Sequence, residues 1–206
     1  MRTLLQTNLR FDRHTAVLTV VSTLLLMVDH YHRLTPWKVL DRNILYFAVP
    51  LGITMLFFRR SPSEYGFRLG DWRVGVPLTL AGMLLIAPVL WLLGRGDVSM
   101  REYYAWQLNA AMPLETFLEL FGWEFFFRGW LLFGYARRFG AEALWLQAVP
   151  FALAHIGKPE VETLSTIFGG FAFGWLAYRT RSFLYPFLLH WFVATFTVLV
   201  AAGALG

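Results

Sequence analysis

An all-α bundle of about seven helices crossing a membrane is what this sequence predicts, and three observations predict it. Of its 206 residues, 57% are hydrophobic and only 15% charged, more apolar surface than one small soluble core can hide. The apolar residues fall into seven stretches, near 14–31, 43–58, 76–94, 114–135, 141–156, 162–178 and 182–204. Each comes close to the roughly 20 residues that a helix needs to cross a hydrocarbon core. Many of the nine Trp and eight Tyr stand near the ends of these stretches, where an amphipathic ring sits at headgroup level.

The first stretch follows Arg2, Arg10 and Arg13, as the apolar run of a signal peptide would. It ends, however, in Asp29, His30, Tyr31 and His32 instead of a small-residue cleavage site, and it reads as a retained span. The second holds Pro50 and Gly52, so a kinked, re-entrant or flank-extended helix is expected there. Residues 61–75, with Pro62, Gly66, Gly70, Trp72 and Arg73, form an interfacial linker. Residues 94–113, with Arg95, Asp97, Arg101, Glu102 and Trp106, suit a helix lying on the membrane surface. In the sixth stretch Gly170 and Gly174 form a Gly-x-x-x-Gly pair, the spacing that lets two helices approach closely. No internal repeat or low-complexity tract interrupts the chain, which is expected to be one membrane-embedded domain.

The net charge of +5 does not lie along one basic face, so a nucleic-acid partner is not expected. It sorts by side instead. An N-terminus in the cytoplasm places Arg2, Arg10, Arg13, Arg59, Arg60, Arg68, Arg73, Arg137, Arg138, Arg179 and Arg181 on one side. Arg33, Lys38, Arg42, Arg95, Arg101 and Lys158 fall on the other, which agrees with the positive-inside bias and with an odd number of spans. A multi-pass protein of the cell (inner) membrane is the expectation. The absence of cysteine excludes disulfides, thiolate zinc ligands and a cysteine nucleophile, so any metal must be held by His and carboxylate.

A charge inside a span costs roughly 2.5–3.5 kcal/mol on insertion scales, which makes intramembrane ionisable residues candidates for function. Glu124 and Arg128 lie four apart in Trp123-Glu124-Phe125-Phe126-Phe127-Arg128-Gly129, on one helix face and within reach of an ion pair. The pair could equally serve only to neutralise itself. His155 closes the fifth stretch, and His190 sits inside the last. Imidazole and carboxylate together hold a divalent metal such as zinc, with His155 and His190 as ligands, or activate water and steady an oxyanion without one. Both alternatives stay open.

These residues resemble the motifs of the CPBP family of intramembrane proteases (CAAX-processing and bacteriocin-processing, also called the abortive-infection family). That family carries Glu-Glu-x-x-x-Arg, then Phe-x-x-x-His, then a third motif whose His is followed four residues on by a polar partner. Glu124 and Arg128 match the first motif, Phe151 and His155 the second, and His190 the third, over roughly residues 65–200. The resemblance implies hydrolysis of a peptide bond in a membrane-associated protein or peptide, with the lipid bilayer as the other partner. Two positions depart from the pattern. Trp123 replaces the first Glu, to which the family owes the activation of water, and Ala194 replaces the polar partner of the last His.

Glu160 and Glu162 are the candidates for a displaced carboxylate, because Gly157 and Pro159 break the helix and allow Glu160 to turn back toward His155. Capping of the next helix is the alternative for both. Glu115 and Glu119 point away from the Glu124–Arg128 face. A non-catalytic member of the family, a scaffold or immunity-type protein, is the rival reading that Trp123 and Ala194 favour. A transporter would need a matching pair of broken helices in two halves, which the sequence lacks.

Overall fold

A computed structural model of the chain describes residues 10–205. Among these the protein is helical, without a strand, and seven long helices make up the bundle. They are α1 (Arg13–Tyr31), α2 (Lys38–Phe57), α3 (Trp72–Gly96), α5 (112–139), α6 (Ala143–Leu153), α7 (Glu160–Thr180) and α8 (Leu184–Ala201), with the short α4 (Val98–Tyr104) between α3 and α5. Four of them, α1, α2, α3 and α8, are long and apolar enough to cross a membrane. The chain is an integral membrane protein.

The outward faces are apolar, with Leu84, Leu85, Leu56 and Phe168 each more than two-thirds exposed, as lipid-facing side chains are. The core is aromatic. Phe125, Phe126, Phe127, Trp130 and Phe183 are fully buried; Phe125 meets Phe47 and Phe183 edge-on, as Phe121 meets Phe183 and Phe126 meets Phe127, while Tyr46 tilts against Phe126, contacts that add to burial where rings meet edge to face.

The linkers take the forms their residues dictate. Ser61 and Glu64 close a capping box around the turn Pro62–Tyr65, and Asp71 caps α3 through the Val74 amide, each satisfying amides that a helix start leaves open. Asp97 caps α4 in the same way through the Met100 amide, which gives the expected short helix in the second linker. The second apolar stretch is continuous but begins earlier than expected, at Lys38. Two π-type turns, Ile44–Ala48 and Ile53–Phe57, flank Pro50, whose missing amide the wider turns accommodate.

The fifth stretch is shorter than its composition suggested. Helix α6 ends at Leu153, because Gly157 adopts a left-handed φ of 98° and Pro159 precedes α7. At eleven residues it rises about 16 Å, about half the thickness of a hydrocarbon core. Helices α6 and α7 approach closely at the Gly pair. A Cβ on Gly170 would lie 3.0 Å from Phe151 and 3.1 Å from Ala148, and one on Gly174 only 2.5 Å from Gln147 Nε2. Gln147 Nε2 uses that closeness, donating to the Gly170 and Leu144 carbonyls at 2.8 Å each.

The helix order carries Arg13, Arg59, Arg60, Arg68, Arg73, Arg137, Arg138, Arg179 and Arg181 to one end of the bundle, and Arg33, Lys38, Arg42, Arg95, Arg101 and Lys158 to the other. Arg2 lies outside the described residues.

Candidate active site

The site is assembled from α5, α8, the end of α6 and α7. In α5, a regular segment (Met112–Glu124) passes into a π-type segment, Phe125–Leu131, a widening that recurs at functional sites. Glu124 stands at the junction and Arg128 one turn on; both side chains are completely buried, and Arg128 Nη1 donates to Glu124 Oε1 at 3.1 Å. The same oxygen lies 2.6 Å from His190 Nδ1 of α8, sixty-six residues away in sequence. Glu124 is therefore the meeting point of a cation and an imidazole. A carboxylate accepts only, so His190 donates from Nδ1, and in the neutral ring Nε2 is the free acceptor.

His155 is fixed in the same tautomer by a different partner. Its Nδ1 donates to the Phe151 carbonyl at 2.7 Å, a bond available because α6 ends in this turn. Phe151 lies between the two imidazoles, its ring 4.6 Å from His155 and 5.8 Å from His190 between centroids. The Arg128 guanidinium rests on that ring at 3.8 Å, which compensates in part for its removal from water. Phe173 of α7 closes the group, 5.3 Å from His190 and 5.2 Å from the guanidinium.

Four buried polar atoms here have no protein partner: Glu124 Oε2, Arg128 Nε and Nη2, and Trp123 Nε1. Buried polar atoms are usually paired, and such a cluster marks a place for water or a ligand.

Trp123 stands where the resemblance put a Glu. It is 4% exposed, 6.0 Å from His155 ring to ring, and covered on its other side by the Arg42 guanidinium at 4.4 Å. Arg42 is held by Glu119, one turn before Trp123, which also pairs with Lys38 at 2.9 Å. Glu119 is thus turned toward α2, off the Glu124–Arg128 face, and Glu115 is exposed. Arg42 and Glu119 form a shell around the site that sequence reasoning missed. The available signal was the four-residue spacing of Glu119 and Trp123, which shares a face, but it does not name the helix opposite.

Glu160 lies apart from these groups. It is exposed as the first residue of α7 and makes no hydrogen bond to His155, because the turn at Gly157 and Pro159 starts a new helix and leaves Glu160 complementing that helix's N-terminal dipole. Its neighbour Glu162 turns inward instead, accepting from Tyr104 Oη at 2.5 Å and from Lys158 Nζ at 2.7 Å. Burial, followed by the Glu162 carboxylate, pushes the Tyr104 phenol up, so it remains a donor. Ala194 packs in the aromatic core and contributes no polar atom to His190.

A catalytic zinc ion takes three protein ligands and an open position. His155 and His190 offer Nε2 atoms, but Glu124 is already committed to Arg128 and His190, and Trp123 carries no lone pair. Among the described residues no three His, Asp or Glu side chains converge. The donor set does not fit that metal.

No curated protein and no solved structure matches the chain. Residues 105–196 match the family model of type II CAAX prenyl endopeptidase Rce1-like proteins, a segment that holds Glu124, Arg128, His155 and His190 together. Over those residues the chain is similar to the Rce1-like CAAX proteases, consistent with the motifs read from the sequence.

Proposed function

We propose that this protein is a working intramembrane endopeptidase that hydrolyses a peptide bond in a membrane-associated protein or peptide, and that the Glu124–His190 pair replaces the absent carboxylate as its base. The observation that carries this reading is the 2.6 Å contact between Glu124 Oε1 and His190 Nδ1, with Arg128 on the same oxygen. A carboxylate behind an imidazole orients the ring and stabilises the imidazolium that forms.

Water held at His190 Nε2 gives up its proton as its oxygen attacks the scissile carbonyl. The developing oxyanion is met by donors left open in the site, Arg128 Nη2–H and Trp123 Nε1–H, fixed before reaction and shielded from solvent. The imidazolium then returns the proton to the leaving amine. His155, held in its tautomer by Phe151, accepts a hydrogen bond through Nε2 and positions the water or the substrate amide. The arginine-rich end of the bundle, and with it the N-terminus, faces the cytoplasm, in keeping with the positive-inside bias.

Purified protein is tested against a library of membrane peptides beside His190→Ala, His155→Ala and Glu124→Gln, each checked for insertion. Loss of general-base catalysis in His190→Ala lowers kcat by about 10²–10⁴-fold, and Glu124→Gln lowers it without raising KM. A second reading, a non-catalytic scaffold, is favoured by one observation: Trp123 fills the carboxylate position under Arg42. Absence of cleavage by the unaltered protein, with its cellular phenotype retained in both His→Ala forms, would establish that reading instead.

A further inference from the structure

At the arginine-rich end of the bundle, away from the candidate active site, a cavity of about 360 Å³ opens between the 61–71 linker, the C-terminal part of α5 and the turn that joins α7 to α8. Its charged lining is Arg68, Arg137, Arg181 and one acid, Glu64. Arg137 donates to Glu64 at 2.8 Å and Arg60 to the same carboxylate at 3.4 Å. The Arg137 bond holds the Glu64 carboxyl below its usual range, so the acid is fully ionised and fully engaged. Arg68 and Arg181 have no carboxylate partner among the described residues, and the cavity keeps an excess of positive charge.

The walls are fixed in advance. Arg68 Nε donates to the Arg181 carbonyl at 3.0 Å, Ser182 Oγ to the Arg68 carbonyl at 2.5 Å, and the Phe183 amide to the Gly66 carbonyl at 3.2 Å. Arg181 itself has a φ of 58°, a left-handed conformation that glycine occupies at less cost. Its guanidinium lies 5.0 Å from the Tyr178 ring, at the cavity wall. An arginine kept where the backbone favours glycine points to a use for the side chain. Along α7, Leu164, Phe168, Phe171, Trp175 and Tyr178 follow one another at helical spacing, and Leu164, Phe168 and Trp175 are 65%, 68% and 44% exposed. An apolar stripe thus leads down the helix to the guanidinium cluster.

We infer that this cavity binds the phosphate of an anionic phospholipid, with Arg68 and Arg181 on the headgroup and an acyl chain lying along the α7 stripe. Guanidinium matches phosphate bidentately, and basic pockets between helix ends recognise such headgroups. The stripe favours a lipid over free phosphate, which has no apolar part to occupy it.

The test uses the full chain purified from mixed vesicles of phosphatidylglycerol and phosphatidylcholine, with retained lipid counted by native mass spectrometry. Phosphatidylglycerol is expected to be retained over phosphatidylcholine by about tenfold. Arg68→Gln with Arg181→Gln should remove that preference, while Arg73→Gln with Arg179→Gln, at the same end but outside the cavity, should keep it. Glu64→Gln preserves the capping box and should raise retention, a gain that misfolding does not produce. Equal losses in the two arginine pairs, no preference in the unaltered protein, or no gain in Glu64→Gln would overturn the site. Complete displacement of the lipid by millimolar inorganic phosphate would overturn the lipid as its occupant.

Discussion

Glu124 is bound from two sides, and its energetics follow from that. A fully buried ion pair is costly to form but costlier to break, because removing one partner leaves the other charge uncompensated. Arg128→Ala should destabilise the protein by about 3–5 kcal/mol, read as a lower midpoint in detergent unfolding. Glu124→Gln combined with Arg128→Met should recover much of that loss while remaining inactive. A mild effect of Arg128→Ala alone would mean that the pair is not isolated from solvent. Trp123 is the residue that separates the two functional readings. Trp123→Glu exchanges the indole N–H for a carboxylate beside His155 and against Arg42, and cleavage should fall below that of the unaltered protein; a rise would overturn the indole as oxyanion donor. If that variant inserts and cleavage falls, the indole N–H is needed for the reaction and its role as an oxyanion donor is strengthened.

The Glu124–Arg128 spacing was legible in the sequence because both residues sit on one helix, where four residues bring side chains together whatever surrounds them. The hydrogen bond from His190 was not, since it joins residues on different helices through the rotation of each. Glu160 shows the converse: a break at Gly157 and Pro159 could be foreseen, but the direction in which the chain left it could not.

At the scale of elements, the α6–α7 contact decides where His155 lies. Gly170→Leu would drive its side chain into Phe151 and Ala148, a clash worth about 1–3 kcal/mol by overpacking, and should take activity with it by shifting the Phe151 carbonyl that holds the imidazole. Gly169→Leu, with open space around its Cβ position, is the matched control and should be neutral in thermal stability and in cleavage. Equal effects at the two positions would show that α7 tolerates bulk on both faces. The apolar stretches 141–156 and 43–58 differ from the helices found for reasons of backbone chemistry. Helix α6 stops early at a left-handed glycine and a proline, while α2 passes through Pro50 by widening its turns.

At the scale of the whole molecule, helix order puts residue 63 and residue 99 at opposite ends of the bundle. The chain has no cysteine, so single-cysteine forms label without background. Ser63→Cys and Ala141→Cys should react with an impermeant maleimide from one side of sealed vesicles, and Ser99→Cys from the other. Labelling of all three from one side would contradict the seven-helix path. The arginine-rich end and the end bearing Lys38, Lys158 and Arg42 then have distinct tasks, the first toward lipid phosphate and the second toward the shell around Trp123.

The sequence by itself determined that the chain lives in a membrane, how its basic residues divide between the two ends, and that Glu124 and Arg128 form an ion pair. These rest on composition and on contacts within one helix, which need no knowledge of neighbours. Only the tertiary structure decided that His190 completes Glu124, that Arg42 covers Trp123, and that Arg68 and Arg181 share a cavity. Each of these joins residues from separate segments, and which faces meet there depends on packing between helices, through close approaches such as those at Gly170 and Gly174, that no local pattern encodes.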